Sequence, residues 1–217
     1  NDISFNINFY HTEIISKLLL GGVKISDQTV LSGDYVAANN NLTLYGNLPL
    51  VDVFGTKIKA LKVKGDANNN KLRLTIDAKS IYNNDSLKID NFNITSTVEN
   101  DSALTKIAWL NKLDVLKNEG NITLKTNFNS FYNVSNQLEN SYVYISDSLW
   151  SISPSNQIII DTSYITVNDF KLSSATQSVF MNGTFSNNVN DQLNLFMKNI
   201  DLLTFKNLIP KIEILMI

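Results

Sequence analysis

The chain has 217 residues, of which 43% are hydrophobic and 18% are charged, so it is long enough and apolar enough to bury a core. Its formal net charge is −2, and its 18 basic and 20 acidic residues form no basic stripe, which argues against nucleic-acid binding and against electrostatic binding to a membrane surface. The absence of cysteine excludes a disulfide framework and thiolate metal sites.

The first two predicted elements differ in the spacing of their apolar residues. Residues Ile3–Phe9 alternate strictly between apolar and polar, which predicts a strand with one apolar side. In Thr12–Leu20 the apolar residues recur at helical spacing, which predicts a short amphipathic helix with Thr12 as its N-cap and Gly21–Gly22 at its end.

Strands follow one another from Val23 to Val98. We predict a weak strand at Val23–Ser26, then Thr29–Ala37, Leu42–Leu48, Lys57–Lys64, Lys71–Lys79 and Ser86–Val98. Apolar residues alternate with polar ones in each, as Leu72 and Leu74 do with Arg73. Pro49 cannot donate to a β-ladder, so Leu48–Phe54 is interpreted as a strand end, an edge or a crossover loop.

The second half repeats the pattern. We predict strands at Leu104–Leu110, Gly120–Phe128 and Ser141–Ser146, with a loop through Asn140 between the last two; Leu110–Lys117 is either a helical turn or an irregular link. The stretch Trp150–Met197 contains four extended runs separated by Ser, Asn and Asp, namely Gln157–Asp161, Ser163–Leu172, Gln177–Ser186 and Gln192–Met197. A second short amphipathic helix is predicted at Ile200–Ile209.

The two ends of the chain resemble each other. The segments FNINFYHTEIISKLL and LNLFMKNIDLLTFKNLI both contain an alternating strand, a polar step, an acidic residue and an apolar helix. A recurrence at about 190 residues indicates a long repeating unit, of which the chain holds roughly one copy. No apolar run approaches the ~20 residues that span a bilayer, and Asn1 begins in mid-pattern, so we expect an internal segment of a longer protein.

The fold predicted from these elements is all-β: a long curved antiparallel meander that forms a U-shaped groove with an apolar interior, plus the two short helices. About a dozen consecutive strands are more than a sandwich needs, and at about 4.8 Å per strand they would form a trough of roughly 60 Å. We divide the chain into residues 1–22 (strand and helix), 23–149 (groove strands) and 150–217 (meander and terminal helix). The sequence does not separate a hollow interior from a packed one.

Inward-facing apolar positions are the candidate binding residues of such a groove. An apolar trough without charges suits acyl chains, because each buried methylene contributes about 0.8 kcal/mol. The positions expected to line it are Ile3, Phe5, Ile7, Phe9, Leu42, Leu44, Leu72, Leu74, Ile76, Leu87, Ile89, Ile122, Leu124, Phe128, Ile158, Ile160, Ile165, Val167, Val179, Met181, Leu193, Leu195 and Met197.

Catalytic signatures are weak by comparison. His11 is the single histidine, no G-x-S-x-G elbow accompanies it, and no Walker or G-x-G-x-x-G loop occurs. The carboxylates in or beside strands and turns are better explained as turn residues than as a glycosidase pair; they are Asp161, Asp169, Asp191 and Asp201. Trp109 and Trp150 are interpreted as core or rim residues. We therefore predict a protein that is not an enzyme and has no metal or cofactor.

Three stretches resemble a known family. W-S-I-S-P-S-N-Q-I-I-I-D, then I-T-V-N-D-F-K-L, then G-T-F-S-N-N-V-N-D-Q-L-N-L with the trailing I-D-L-L-T-F-K-N-L-I are similar to the C-terminal region of TamB-like proteins of the AsmA-like superfamily, in the Asn/Ile/Lys-rich form found in Bacteroidota. The resemblance is densest over Trp150–Ile209 and thinner over Ile3–Phe128. It includes no invariant chemical signature.

The resemblance implies a location and partners. TamB-like proteins are anchored in the inner membrane, and their β-groove, or β-taco, crosses the periplasm and is thought to carry phospholipid toward the outer membrane. They are also tied to outer-membrane protein assembly with an Omp85-type barrel partner. This chain lacks the family's N-terminal anchor and extreme C-terminal part, so membrane attachment and partner contact are expectations for the full-length protein only.

Three hypotheses follow for the function. The first is a lipid conduit between the inner and outer membranes. The second is a scaffold or chaperone for outer-membrane proteins, whose client strands would add to a free sheet edge. The third is an extracellular all-β binding or adhesion module with a solid core.

Overall fold

The computed structural model describes residues 2–13, 16, 21–68, 70–83, 87–110, 118–145 and 147–201. Within them the chain forms one antiparallel sheet of 15 strands. The strands are β1 (Ile3–Phe9), β2 (Val23–Ile25), β3 (Thr29–Val36), β4 (Asn41–Val53), β5 (Thr56–Asn68), β6 (Lys71–Asn83), β7 (Leu87–Glu99), β8 (Ser102–Leu110), β9 (Glu119–Ser130), β10 (Asn133–Ile145), β11 (Ser148–Ile152), β12 (Gln157–Asp161), β13 (Tyr164–Ser174), β14 (Gln177–Ser186) and β15 (Leu193–Lys198).

The sheet is a long curved meander in which strands follow in chain order. The order is β1-β3-β4-β5-β6-β7-β8-β9-β10-β11-β13-β14-β15. Two short strands share a position with a neighbour: β2 pairs with β4 beyond the end of β3, and β12 pairs with β10 beyond β11. Thirteen strand positions at about 4.8 Å give a sheet about 60 Å wide. The predicted fold class is therefore confirmed.

The predicted strands are present, and half of them are longer than expected. The runs Gln157–Asp161 and Gln177–Ser186 have the predicted bounds, and the other two runs of the final meander differ by one or two residues. Leu104–Leu110 is the greater part of β8. The strands β4–β7 each contain 13 residues.

The interpretation of Pro49 was wrong. β4 passes through Pro49 without a break and is an interior strand with partners on both sides. The ladder skips this level, because Leu48 pairs with Leu61 and Leu50 pairs with Lys59 while Pro49 forms no register pair. An interior proline is tolerated where no ladder bond needs its missing N–H.

The predicted loop through Asn140 was also wrong. β10 runs from Asn133 to Ile145, and the connection from β9 is only the two-residue turn Phe131–Tyr132. Asn140 lies within the strand at a register shift, where its φ of 42° marks a β-bulge. A bulge adds one unpaired residue, so the strand continues although the alternation is interrupted.

A first irregular level crosses β4–β7. It contains Pro49, Ala60, Lys79 and Asn91, none of which forms a register pair, and Ala60 and Asn91 both have φ of 50°. The near side of this level is the part of each strand toward the turns 37–40 and Asn100–Asp101, and the far side is the part toward the turn Phe54–Gly55. Four apolar residues on the far side are in register with one another, namely Val51, Ile58, Ile81 and Ile89. In each strand this residue lies three positions from the last apolar residue on the near side. Left-handed residues of this kind re-aim the side chains that follow and bend the strand.

A second irregular level crosses β10–β14. The register of β13 with β14 shifts between Val167 and Phe170, and Asp169 has φ of 51°. Between β11 and β12 the chain leaves the ladder, and the buried side chain of Asn156 fills the gap: its Oδ1 accepts from Leu138 N at 2.9 Å and its Nδ2 donates to Leu138 O at 2.8 Å. The Asn156 side-chain amide thus forms the two hydrogen bonds with β10 that the backbone of a paired strand residue would otherwise form.

The turns at one end of the strands, here called the first rim, recur regularly. They are 37–40, Asn70, Asn100–Asp101, Phe131–Tyr132, Thr162–Ser163 and 187–192. Phe131 follows Asn100, and Thr162 follows Phe131, by 31 residues. The second rim at the opposite end includes the turn Phe54–Gly55.

The predicted helices are described only in part. Thr12, Glu13 and Ser16 have helical conformation, and the rest of Thr12–Leu20 lies outside the described residues. The Thr12 hydroxyl joins this segment to the turn before β3: its Oγ1 donates to Ile25 O at 2.6 Å and lies 3.0 Å from Asp27 Oδ1, which accepts from Thr12 N at 3.0 Å. This lowers the pKa of Asp27. The N–H groups that Thr12 would cap belong to residues outside the described part. Residues 202–217, which contain most of the second predicted helix, also lie outside the described part, as do residues 111–117.

Candidate functional site: the apolar face

One side of the sheet is apolar from strand to strand. Residues directly opposite in an antiparallel ladder point to the same side, so the register identifies which side chains share a face. A cross-strand row through β1 and β3–β9 consists of seven aliphatic residues and one glycine, namely Ile7, Leu31, Gly46, Val63, Ile76, Ile94, Ile107 and Ile122. This row spans seven strand spacings, or about 34 Å. We call the side that contains it the apolar face.

The predicted lining residues lie together on this face. In β1–β9 they occupy the Ile7 row or positions two, four or six residues from it, and in β12–β15 register pairs such as Ile158–Val167 and Val179–Met197 connect them. All the predicted positions except Leu87 and Ile89 are placed on the face by register. Ile89 pairs with Ile81 beyond the first irregular level, and Leu87 pairs with Asn83 there, its side chain lying outside the described part.

Sequence reasoning missed several members of the face. Phe170 and Leu172 belong to it because they pair with Met181 and Val179, although strict alternation from Ile165 and Val167 would place them on the other side. The other missed residues include Leu48, Leu61, Phe92, Val98, Trp109, Val134, Leu138, Val143, Trp150, Ile152 and Phe185. The Asn168–Asp169 pair inside an apolar run was the available signal of a bulge.

Charge is absent from the face. On the near side of the first irregular level, no described strand residue that the register assigns to this face is Asp, Glu, Lys or Arg. Two polar pairs interrupt it, and each is internally satisfied: Ser96 Oγ and Thr105 Oγ1 are 2.8 Å apart, and Thr126 Oγ1 donates to Asn136 Oδ1 at 2.8 Å. Such pairing reduces the cost of removing these groups from water.

The opposite face holds the charges. Lys71 Nζ donates to Glu99 Oε2 at 2.8 Å, and Arg73 Nη1 donates to Asp66 Oδ2 at 3.1 Å. The hydrogen bond and the positive charge of Lys71 hold the pKa of the Glu99 carboxyl below its ordinary value. These pairs are exposed, so each contributes little to stability.

Much of the apolar face remains exposed. Fully buried hydrophobic residues are few among the described residues: Val51, Ala78, Ala103, Trp150 and Val167. Many large residues of the face are exposed, including Ile3, Phe5, Ile7, Leu42, Leu44, Leu72, Phe128, Ile160, Leu195 and Met197. The extensive contacts between described elements all join strands that are neighbours in the sheet. One sheet side therefore remains largely uncovered by the part of the chain that the structure describes.

Side chains considered for catalysis have structural surroundings. His11 is exposed. Asp161 Oδ2 accepts from Asn133 Nδ2 at 3.1 Å, and this bond, with others from Ser163 and Thr162, lowers the pKa of Asp161. Asp191 Oδ2 accepts from Ser186 Oγ at 2.6 Å within the β14–β15 connection. Within the described ranges, no three His, Cys, Asp or Glu residues are grouped so that they could hold a metal ion.

Two further observations concern membranes and relatives. Among the residues that the structure describes, no helix has both the length and the apolar composition needed to cross a bilayer. Comparison of the chain with protein-family models, with curated proteins and with solved structures found no match.

Proposed function

We propose that this chain is a non-enzymatic lipid conduit, a segment of a periplasmic β-groove that carries phospholipid acyl chains along its apolar face between the inner and outer membranes. The observation on which the proposal depends is the combination of an uncharged apolar face, continuous from β1 through β9, with its exposure to solvent. A monomeric soluble protein rarely exposes a contiguous apolar surface of this extent without a ligand or partner for it.

The shape of the face suits a chain rather than a compact ligand. Rows of apolar side chains run across the strands, and each position repeats every 4.7–4.9 Å. An acyl chain lying along such a row would bury its methylenes at about 0.8 kcal/mol each. Because one row position resembles the next, movement along the row would cost little. The hydrogen-bonded polar pairs Ser96–Thr105 and Thr126–Asn136 leave no charge in the path.

The test is native mass spectrometry with lipid extraction on protein purified from a bacterial periplasm. We expect bound phospholipid in the wild type and its loss in Leu74→Asp and Leu195→Asp. A carboxylate on the apolar face would lose its hydrating water when an acyl chain covers it, which is strongly unfavourable. Leu195 is 50% exposed, so its substitution should leave the fold intact.

Matched controls lie one residue away. Thr75→Asp and Asn194→Asp introduce the same charge on the opposite face, where Thr75 is in register with Lys64 and Asn194 with Asn182. Both controls should keep their lipid, and circular dichroism of all four variants should match the wild type. A wild-type protein that remains bare when offered phospholipid, or apolar-face variants that keep full loading, would contradict the conduit.

The sheet edges favour a second candidate, a scaffold for outer-membrane proteins. Among the described strands, β1 and β15 each have a partner on one side only, and every residue of β15 is exposed. An unpaired edge is a template for an added strand. A photo-crosslinker at Lys198 that captures nascent barrel proteins would support this candidate, whereas capture of lipid at Leu74 supports the conduit.

A further inference from the structure

The turn between β9 and β10 has two exposed aromatic residues. Phe131 is 90% exposed and Tyr132 is 63% exposed. Their rings form an edge-to-face pair with centroids 4.9 Å apart. Aromatic side chains this exposed contribute little to folding, because exposed apolar surface has not been removed from water.

The tip of this hairpin extends past β8. β8 begins at Ser102, which pairs with Asn127, while β9 continues to Ser130. Three further residues of strand correspond to about 10 Å. On the other side, β12 ends at Asp161 opposite Asn133, the first residue of β10, so the turn Thr162–Ser163 lies level with Phe131–Tyr132. Phe131 and Tyr132 therefore lie beyond the first rim on the β8 side.

The other turns of the first rim contain no aromatic residue. Asn39–Asn40, Asn70, Asn100–Asp101 and Thr162–Ser163 are polar, and 187–192 is polar apart from the exposed Val189. Asparagine is the ordinary choice for such turns because it tolerates left-handed backbone. The aromatic pair is thus a local departure from a turn chemistry that the chain uses repeatedly.

An apolar row lies directly below this tip. Phe128 pairs with Val134, which pairs with Ile160; Ile160 pairs with Ile165, and Ile165 with Phe185. Four of these five residues are exposed, namely Phe128, Ile160, Ile165 and Phe185. The tip is therefore continuous with the apolar face at the rim.

The surroundings of the tip are rich in neutral amides and contain no basic residue in the segment between Lys125 and Glu139. Asn129 Nδ2 donates to Asn133 Oδ1 at 2.8 Å, which links the two strands just below the turn. The charged neighbours are acidic: Asp161 Oδ2 accepts from Asn133 Nδ2 at 3.1 Å, and Asp101 O accepts from Phe128 N at 2.8 Å. Such a site offers no attraction to anionic headgroups, whereas exposed tyrosine and phenylalanine side chains are readily buried at the headgroup level of a bilayer.

We propose that the Phe131–Tyr132 tip inserts into the interface of a phospholipid bilayer and brings the Phe128–Phe185 row to the membrane surface. Acyl chains would then pass between the bilayer and the apolar face at this rim. Only this last step rests on the proposed conduit function; the docking itself does not. The occupant of the tip is a neutral lipid surface rather than a charged protein.

The test is flotation of the purified protein with phosphatidylcholine vesicles. We expect the wild type to float, and the partition coefficient of the double variant Phe131→Asn/Tyr132→Asn to fall about tenfold or more. Because the tip has no basic residue, adding anionic lipid should not strengthen wild-type binding, and raising the salt concentration should not weaken it. Binding that weakens as salt rises would indicate electrostatic attraction instead.

A control of similar exposure lies on the second rim. Phe54 is 78% exposed in the turn Phe54–Gly55, and Phe54→Asn should leave flotation unchanged. For location, Phe131→Trp should show a blue-shifted emission increment with vesicles and quenching by brominated lipid, whereas Phe54→Trp should show neither. Equal quenching at both sites would overturn insertion of this tip.

Two readouts separate the docking from the conduit. If the wild type does not float, or if Phe131→Asn/Tyr132→Asn floats as well as the wild type, the docking proposal is wrong, and a protein becomes the favoured occupant of the tip. Lipid bound to the double variant, measured by native mass spectrometry, should remain while flotation is lost. A bare wild type that still floats would overturn the conduit and support the docking.

Discussion

In β6, successive residues belong to opposite faces of the sheet. Leu72, Leu74 and Ile76 belong to the apolar face, and Arg73 and Asp77 to the opposite one. The faces differ far more in charge than in exposure, since apolar-face residues such as Leu72 are as exposed as many polar ones. In an ordinary sandwich the uncharged face would be covered. Charge is thus segregated without burial, which leaves the apolar face open to contact with groups beyond the described residues.

The largest expected difference between the faces is in stability. Trp150 lies on the apolar face opposite Val143 and is 0% exposed, whereas Phe196 lies on the other face opposite Phe180 and is 61% exposed. Trp150→Ala should lower the free energy of unfolding by about 3–5 kcal/mol, because it leaves a large cavity. Phe196→Ala should change it by about 0.5 kcal/mol or less. Urea unfolding of both variants measures the contrast.

The effect of Trp150→Ala would show whether the apolar face around Trp150 is packed or open. A small effect of Trp150→Ala would mean that this part of the face is not packed, contrary to the geometry. Unchanged slopes of the urea transitions would show that the variants alter stability rather than the extent of unfolding.

Period-two alternation was sufficient to predict most of the strands, though not β11, and most of the apolar face. It succeeds here because each strand has one uncharged side, so Leu74 and Arg73 differ in chemistry as well as in direction. It failed where the phase changes. Phe170 and Leu172 were omitted because the Asn168–Asp169 bulge shifts their parity, and the first part of β10, from Asn133 to Asn140, was predicted as a loop because of its many polar residues.

Interactions across the sheet could not be predicted from one sequence. The side chain of Asn156 completes the ladder opposite Leu138, a partner 18 residues away, and nothing local marks that role. Pro49 likewise has no register pair, and the residue opposite it in β5 is Ala60, whose backbone is left-handed. The sequence around Pro49 does not indicate this. The protrusion of the Phe131–Tyr132 tip past β8 required the register of β8 with β9.

A smaller effect is expected from the polar pair within the apolar face. Thr105→Val leaves the Ser96 hydroxyl without this cross-strand partner, and should cost about 1 kcal/mol of unfolding free energy. The double variant Ser96→Ala/Thr105→Val should be nearly neutral, because both partners are removed together. Urea unfolding of the two single variants and the double variant gives the coupling energy. Strictly additive single effects would show that the pair does not interact.

The smallest expected effect is the pH dependence of an ion pair on the charged face. The bond from Lys71 lowers the pKa of Glu99 in the folded state, so the pair stabilises the fold above the ordinary pKa of a glutamate and loses its contribution as pH falls through the lowered pKa. The urea midpoints of the wild type and Lys71→Met should therefore differ slightly at neutral pH and converge in acid. High salt should also reduce the difference, since the pair is exposed. A difference that grows in acid would contradict the lowered pKa and indicate that Lys71 acts through its aliphatic chain instead.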